Sequence, residues 1–174
     1  CRSLLVLLED DPGELQDRFR LLTEGRSLGG RIHHLCREDF HAAKIPIDVG
    51  SPKFQEVLTD AAHSTSPDLV VLDNLAHLVA AEYSDPKRIH HLMDFVYTMA
   101  SNHNCAVIIA AHPRKDNADH RSDLLHAPGD FFESVMGSSH LINSTGSLWG
   151  LERREEHTIF LGGRQRGDGC ERHL

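Results

Sequence analysis

The stretch DLVVLDNL, residues 68–75, decides how the rest of the sequence is interpreted. Four consecutive apolar residues follow Asp68, without the polar alternation that is typical of a strand with one face in solvent. Such a run predicts a strand buried on both faces, as in parallel sheets. The run closes on Asp73, so we expect a carboxylate at the carboxyl end of this strand.

Two similar apolar runs lie on either side of it. SLLVLLEDD, residues 3–11, and CAVIIAAHPRK, residues 105–115, also end in polar residues. The intervening patterns predict helices, with Asp11 and Asp85 as N-caps and a proline directly after each. Strands alternating with helices predict an α/β fold, a mostly parallel sheet with helices on both faces. The elements expected between these strands are helices over 11–25, 53–63 and 85–103, a short strand at 31–35 and irregular chain over 37–52.

The last third of the chain has a different pattern. Residues 116–132 are polar and predict a loop, and residues 131–145 predict a helix interrupted at Gly137. Residues 146–167 predict two antiparallel strands joined by a charged turn, so the fold is expected to end in a hairpin. We expect one domain over residues 1–174, and the start at Cys1, inside a predicted strand, suggests a piece of a larger fold.

Composition excludes several classes of protein. The net charge of −8 argues against a protein that coats DNA or an anionic membrane. The sequence contains neither an apolar run long enough to span a bilayer nor a signal peptide, so we expect no membrane contact and a cytoplasmic location. The four cysteines lack C-x-x-C spacing, and the 14 histidines form no recognisable metal motif. Histidines in the core or on the surface are the commoner explanation.

Three strands end in residues that could do chemistry: Glu9, Asp73 and His112. Ligands bind at the carboxyl ends of strands in open parallel sheets, so three polar ends on one edge indicate a site. Each has a simpler explanation as well. Glu9 could be solvated beside a helix N-terminus, Asp73 could cap a helix, and His112 could be a core histidine. Arg164 and Arg166 could likewise be a solvated turn or charge-stabilising arginines.

The order of the motifs is more informative than any one of them. LLEDD, DLVVLDNL, VIIAAHPRKD, GSSHLINSTGSLWGLER and FLGGRQRG together resemble the RecA-like ATPase core. The resemblance is greatest to the branch that contains the plasmid helicase RepA and the DnaB-type hexameric helicases, and it runs from about residue 3 to residue 169. It implies ATP and Mg²⁺ as ligands, a ring-shaped homo-oligomer, and single-stranded DNA as a partner.

The resemblance also implies a role for individual residues. Glu9 matches the glutamate that activates the attacking water, Asp73 matches the Walker B aspartate that holds magnesium, and His112 matches the γ-phosphate sensor. The remaining matches are Gly137 and Ser138 at the start of a helix near the nucleotide, Arg114 and Lys115 in a loop toward DNA, and Arg164 and Arg166 reaching the next subunit's nucleotide.

One family motif does not occur in the sequence. No G-x-x-x-x-G-K-[ST] loop is present, and none of the four lysines follows a glycine. The fold is therefore expected to lack the first strand and P-loop, and with them the strand that would separate the Asp73 strand from later ones. Three interpretations remain open: a helicase-type ATPase domain of DNA replication or repair, a P-loop-less relic that serves as an interaction module, and another phosphotransfer or hydrolase domain that uses Glu9 and Asp73.

Overall fold

The structure is a computed structural model that describes most of the chain. The described residues are 1–79, 85–112, 124, 126, 128–134, 139–153, 159–165 and 171–173. They form two compact units, one comprising Cys1–Glu82 with His90–Ala111 and the other Tyr83–Ile89 with His112–Leu174. Each unit is described by itself.

The first unit is built on a four-stranded parallel sheet. Its strands are β1 (Ser3–Leu7), β2 (Ile32–Cys36), β3 (Leu69–Asp73) and β4 (Ala106–Ile109). The strand order is β2-β1-β3-β4, and every pair is parallel. The predicted α/β class and all four predicted strands are confirmed.

Helices flank this sheet and connect its strands. They are α1 (Pro12–Thr23), α2 (Arg37–Ala42), α3 (Pro52–Thr65), α4 (Leu75–Leu78) and α5 (Pro86–His103). The predicted caps are confirmed in α1 and α5, because the side chain of Asp11 accepts a hydrogen bond from Gly13 N at 2.8 Å and that of Asp85 accepts one from Lys87 N at 2.9 Å. Each cap satisfies a backbone N–H that the helix itself leaves unpaired.

Two short helices contradict the sequence prediction. Residues 37–52 were expected to be irregular, yet α2 begins at Arg37 because Asp39 reaches back to accept a hydrogen bond from Cys36 N at 2.7 Å. Burial of Phe40 holds α2 in place. The helix α4 follows β3 directly, where Leu75 and Leu78 are buried. Both helices are too short for their apolar period to be recognised.

The strand β3 has β4 as its direct neighbour. The strand that would separate the Asp73 strand from later ones was expected to be missing, and β3 pairs directly with β4, with Leu69 opposite Ala106. The ladder continues past the strands, since Ala110 N donates to Leu72 O at 2.9 Å. In the described sheet, β4 therefore occupies the position beside β3 where a separating strand would lie. Among the described residues, the sheet ends at β2 on one side and at β4 on the other.

The parallel sheet has one fully buried face and one partly covered face. Leu4, Val6, Val70 and Leu72 share one face by register, and each is at most 1% exposed. On the opposite face, Leu7 packs with Leu15 of α1. The second face is covered only in part, since Leu5 and Val71 are half-buried and Ile108 is 52% exposed, so the predicted burial on both faces is incomplete.

The second unit contains a small antiparallel sheet and two short helices. Its elements are α6 (Pro128–Glu133), α7 (Ser139–Ser144), β5 (Ser147–Arg153), β6 (Ile159–Gln165) and β7 (Glu171–His173). The predicted hairpin is confirmed as β5 and β6, and β7 adds a third strand that the sequence did not predict. Gly150 is required by close packing, because a Cβ there would lie 2.9 Å from side-chain atoms of both Leu124 and Phe131.

No helix within the described part of the chain is both long and apolar enough to cross a bilayer.

Packing of the first unit is tested at Phe54, which is fully buried in α3 with its ring centroid 5.0 Å from that of Phe40. We expect Phe54→Ala to lower the free energy of unfolding by about 3–5 kcal/mol, because it removes a large buried ring and leaves a cavity. Denaturant unfolding measures the change. Leu22→Ala, at a residue 80% exposed, is the control and should change the value by less than about 0.5 kcal/mol. Equal effects of the two changes would contradict the described core.

Candidate functional site

The carboxyl edge of the parallel sheet brings Glu9 and Asp73 to neighbouring positions. Leu7, the last residue of β1, lies opposite Asp73, the last residue of β3. Leu8 N donates a hydrogen bond to Asp73 O at 2.7 Å, so the two chain segments stay paired one residue beyond β1. Glu9 follows immediately. Since paired strands lie about 4.8 Å apart, the sheet itself sets the spacing of the two acidic residues.

Two residues that the sequence analysis did not select surround Glu9. Nε2 of His77, in α4, lies 3.4 Å from Oε1 of Glu9. Arg37, the first residue of α2, donates from Nε to Leu8 O at 2.8 Å, and its Nη2 lies 2.9 Å from Nδ1 and 3.0 Å from Nε2 of His77. The Glu9 side chain is 45% exposed, so it is partly open to solvent while facing this cationic and imidazole pair.

Asn74 follows Asp73 and is the buried polar residue of this edge. The Asp73–Asn74 peptide bond is cis, and the Asn74 side chain is 0% exposed. Among the described residues, neither its Nδ2 nor its Oδ1 has a hydrogen-bond partner. Most buried polar groups are paired, so an orphaned amide directly after Asp73 marks a place that is not built for stability alone.

The acidic residues fit magnesium in the way that nucleotide-binding proteins hold it. Mg²⁺ is usually bound by one or two carboxylates together with phosphate oxygens and water, rather than by a complete protein cage. Within the described ranges, no group of three or more His, Cys, Asp or Glu residues could hold a metal ion. Asp73, half-buried at the end of β3, is the residue that the resemblance assigns to Mg²⁺, and its carboxylate is of the type that would hold the ion together with phosphate oxygens.

A groove of about 440 Å³ lies elsewhere in the same unit. Its walls come from α1, from the segment after it and from β2, and they include Leu15, Phe19 and His34. Glu9 and Asp73 are not among its lining residues. The chemistry at the sheet edge is thus separate from the groove, and the edge is the better candidate site because its polar side chains converge.

The remaining predicted site residues belong to the second unit or fall outside the described residues. His112 is exposed and belongs to the second unit. Arg164 lies in β6, where its backbone is opposite Leu148 of β5 and Glu171 of β7. Their predicted roles stay predictions. The residues that fall outside the described ones are Arg114, Lys115, Gly137, Ser138 and Arg166.

A comparison with models of protein families shows to which family the chain belongs. A family model described as "AAA domain" matches residues 1–118, which contain the whole parallel sheet, Glu9 and Asp73. This chain belongs to the AAA domain family. No curated protein matches it. The family assignment makes the first unit part of an ATPase-type domain and agrees with the α/β sheet and its acidic edge.

Sequence reasoning could have found Arg37 in this AAA domain, because Arg37 follows β2 as Glu9 follows β1. The position at a strand end that singles out Glu9, Asp73 and His112 is shared by Arg37. His77 had no comparable signal. It faces Glu9 because α4 turns the chain back immediately after β3, and α4 was not predicted.

Cys36, next to Arg37, is a buried free thiol. Burial raises its pKa above the ordinary 9.0, and the negative charges of Asp39 and Glu38 raise it further. The reactive form of cysteine is the thiolate, so a raised pKa together with burial makes Cys36 unreactive. Cys1 is exposed, so burial does not protect its thiol.

We expect Asn74→Leu to raise the free energy of unfolding by about 1 kcal/mol, because it replaces an unpaired buried amide with an apolar side chain of similar size. The matched change Asn74→Asp should lower it, since a buried carboxyl group without a partner is more costly than an amide. Chemical denaturation of the three proteins provides the comparison. A loss of stability in Asn74→Leu would mean that the amide has a stabilising partner.

We expect Cys36 to be alkylated much more slowly than Cys1 at pH 8, as measured by mass spectrometry of the digested protein after iodoacetamide treatment. The sign follows from the raised pKa: the folded state keeps the proton at pH values where an unfolded cysteine loses it. The contribution of the Cys36 thiol to the free energy of unfolding is therefore fully present below about pH 9, and it is lost as the pH rises through the pKa of the folded state. Equal alkylation rates in the folded protein would contradict the burial of Cys36.

Proposed function

We propose that this AAA domain is the RecA-like core of a helicase-type ATPase of the RepA and DnaB-type branch, acting in DNA replication or repair. ATP with Mg²⁺ is its substrate, and hydrolysis takes place at the interface between subunits of a ring. The observation that carries the proposal is the position of Asp73 at the end of β3 and of Glu9 two residues after the paired strand β1, both at the carboxyl edge of the sheet.

The two carboxylates have different tasks in this proposal. Asp73 holds magnesium, and the bound ion would neutralise charge on the phosphate oxygens of the substrate. Glu9 accepts a proton from the attacking water, a role for which its side chain is sufficiently exposed. Adjacent strands separate the two residues enough to let one face the metal and the other face the water.

The remaining parts of the proposal rest on the sequence resemblance. His112 would sense the terminal phosphate, and Gly137 and Ser138 would lie near the nucleotide. Arg164 and Arg166 would reach into the neighbouring subunit, where a guanidinium can stabilise charge on the transferred phosphoryl group. Arg114 and Lys115 would face single-stranded DNA and contact its phosphates.

A fluorescent ATP analogue titrated into the chain with and without magnesium tests the proposal. Because the sequence has no G-x-x-x-x-G-K-[ST] loop to hold the phosphates, we expect weak binding, and we expect its magnesium-dependent part to be lost in Asp73→Asn. We expect Glu9→Gln to keep nucleotide binding but to lower the hydrolysis rate by about 10²–10⁴-fold, because the amide cannot accept the proton. Phosphate release measures hydrolysis. Asp60→Asn and Glu56→Gln, at exposed positions of α3, are the matched controls and should behave like the unchanged protein.

A chain that binds no nucleotide favours the second interpretation, an interaction or oligomerisation module without enzymatic activity. Its supporting observation lies in β5, where Trp149 is 61% exposed and Leu151 is 69% exposed. Absence of saturable binding in the unchanged chain, with the sheet folded by circular dichroism, would refute ATP hydrolysis by this polypeptide. Concentration-dependent association that Trp149→Ser abolishes would then support the module.

A further inference from the structure

We propose that Arg37 and His77 form a positioning relay that holds the carboxylate of Glu9 through a neutral histidine. The proposal rests on the proposed function, because Glu9 is the residue that accepts the proton from water there. Arg37 and His77 are positioning residues, since they act through Glu9. Neither was selected from the sequence or by the family resemblance.

The first step of the argument concerns Arg37, which is attached to the backbone immediately before Glu9. Its Nε donates to Leu8 O at 2.8 Å, and Leu8 N in turn donates to Asp73 O at 2.7 Å. The guanidinium is thereby fixed relative to both strand ends. Arginine can do this because its planar group presents several N–H donors in a rigid arrangement, so one donor holds the carbonyl while another faces His77.

The second step concerns the tautomer of His77. An arginine N–H can only donate, so a ring nitrogen that receives it must carry a lone pair. Nη2 of Arg37 lies within reach of both ring nitrogens, at 2.9 Å from Nδ1 and 3.0 Å from Nε2. Nε2 also faces the Glu9 carboxylate at 3.4 Å, which requires a donor. The tautomer that satisfies both contacts has its lone pair on Nδ1 and its proton on Nε2.

The third step is the consequence for Glu9. Its carboxylate lies 3.4 Å from Nε2 of His77, whose ring contacts Arg37, and its backbone is adjacent to the carbonyl that Arg37 also holds. Both the main chain and the side chain of Glu9 are thus restrained from the same arginine. A general base must be held within hydrogen-bond distance of the water that it deprotonates, so this restraint serves catalysis directly.

Steady-state hydrolysis of ATP with magnesium, over a range of ATP concentrations, provides the first test. We expect His77→Phe and Arg37→Lys to lower kcat by about 10–100-fold, the size usual for partners that orient a functional ligand, while KM changes less than twofold. His77→Gln keeps an N–H that can donate to Glu9, so it should recover part of the loss. His41→Gln, at an exposed residue of α2, is the control and should leave kcat unchanged.

The second test needs no activity and separates the relay from the proposed function. In ¹⁵N-histidine-labelled protein, long-range ¹H–¹⁵N spectra should show His77 as the neutral tautomer protonated at Nε2. Glu9→Gln and Arg37→Lys should each shift its ring nitrogen resonances, and His41→Gln should not. If hydrolysis is absent but these shifts occur, the proposed function fails and the relay stands.

Two results overturn the relay. One is a His77 tautomer protonated at Nδ1, or ring resonances that Glu9→Gln leaves unchanged. The other is hydrolysis in which His77→Phe has the same kcat as the His41→Gln control. If His77→Phe does not fold, His77→Gln and the spectra of the unchanged protein still decide the question.

Discussion

The parallel pairing of β1 with β3 is the constraint on which the candidate site depends. Its register places Leu7 opposite Asp73, and the hydrogen bond from Leu8 N to Asp73 O extends the pairing to the residue before Glu9. A shift of one residue in either strand would turn its side chains to the opposite face of the sheet. The buried apolar residues on both faces oppose such a shift, so the packing of the core also fixes the relative position of the two carboxylates.

The two carboxylates then acquire different environments from the chain that follows each strand. After β1 the chain leads to α1, and Glu9 faces His77 near the guanidinium of Arg37. After β3 it passes through the buried Asn74 into α4. Acidic residues on neighbouring strands are suited to separate tasks when their surroundings differ in this way. The same α4 that carries His77 toward Glu9 begins two residues after Asp73.

Sequence patterns were sufficient for the elements whose signals are local. The apolar runs ending at Leu7 and Asp73 predicted buried strands, and the Asp-Pro pairs at residues 11–12 and 85–86 predicted helix starts, all of which are confirmed. Strand order needed the structure, because the pairing of β3 with β4 is a contact between distant parts of the chain. The edge position of Glu9 and Asp73 followed from general rules for parallel sheets. The contact of Glu9 with His77 did not, since it depends on a helix of four residues.

The position of Arg37 is difficult to explain by the stability of α2 alone. A cation in the first turn of a helix lies at the positive end of its dipole, which is unfavourable by about 0.3–1 kcal/mol at exposed sites. The acidic residues Glu38 and Asp39 in the same turn offset this cost and leave Arg37 free to point toward the sheet edge. There it bonds to Leu8 O and contacts His77. A residue that breaks a local preference while making two specific contacts beside a catalytic candidate is best explained by those contacts.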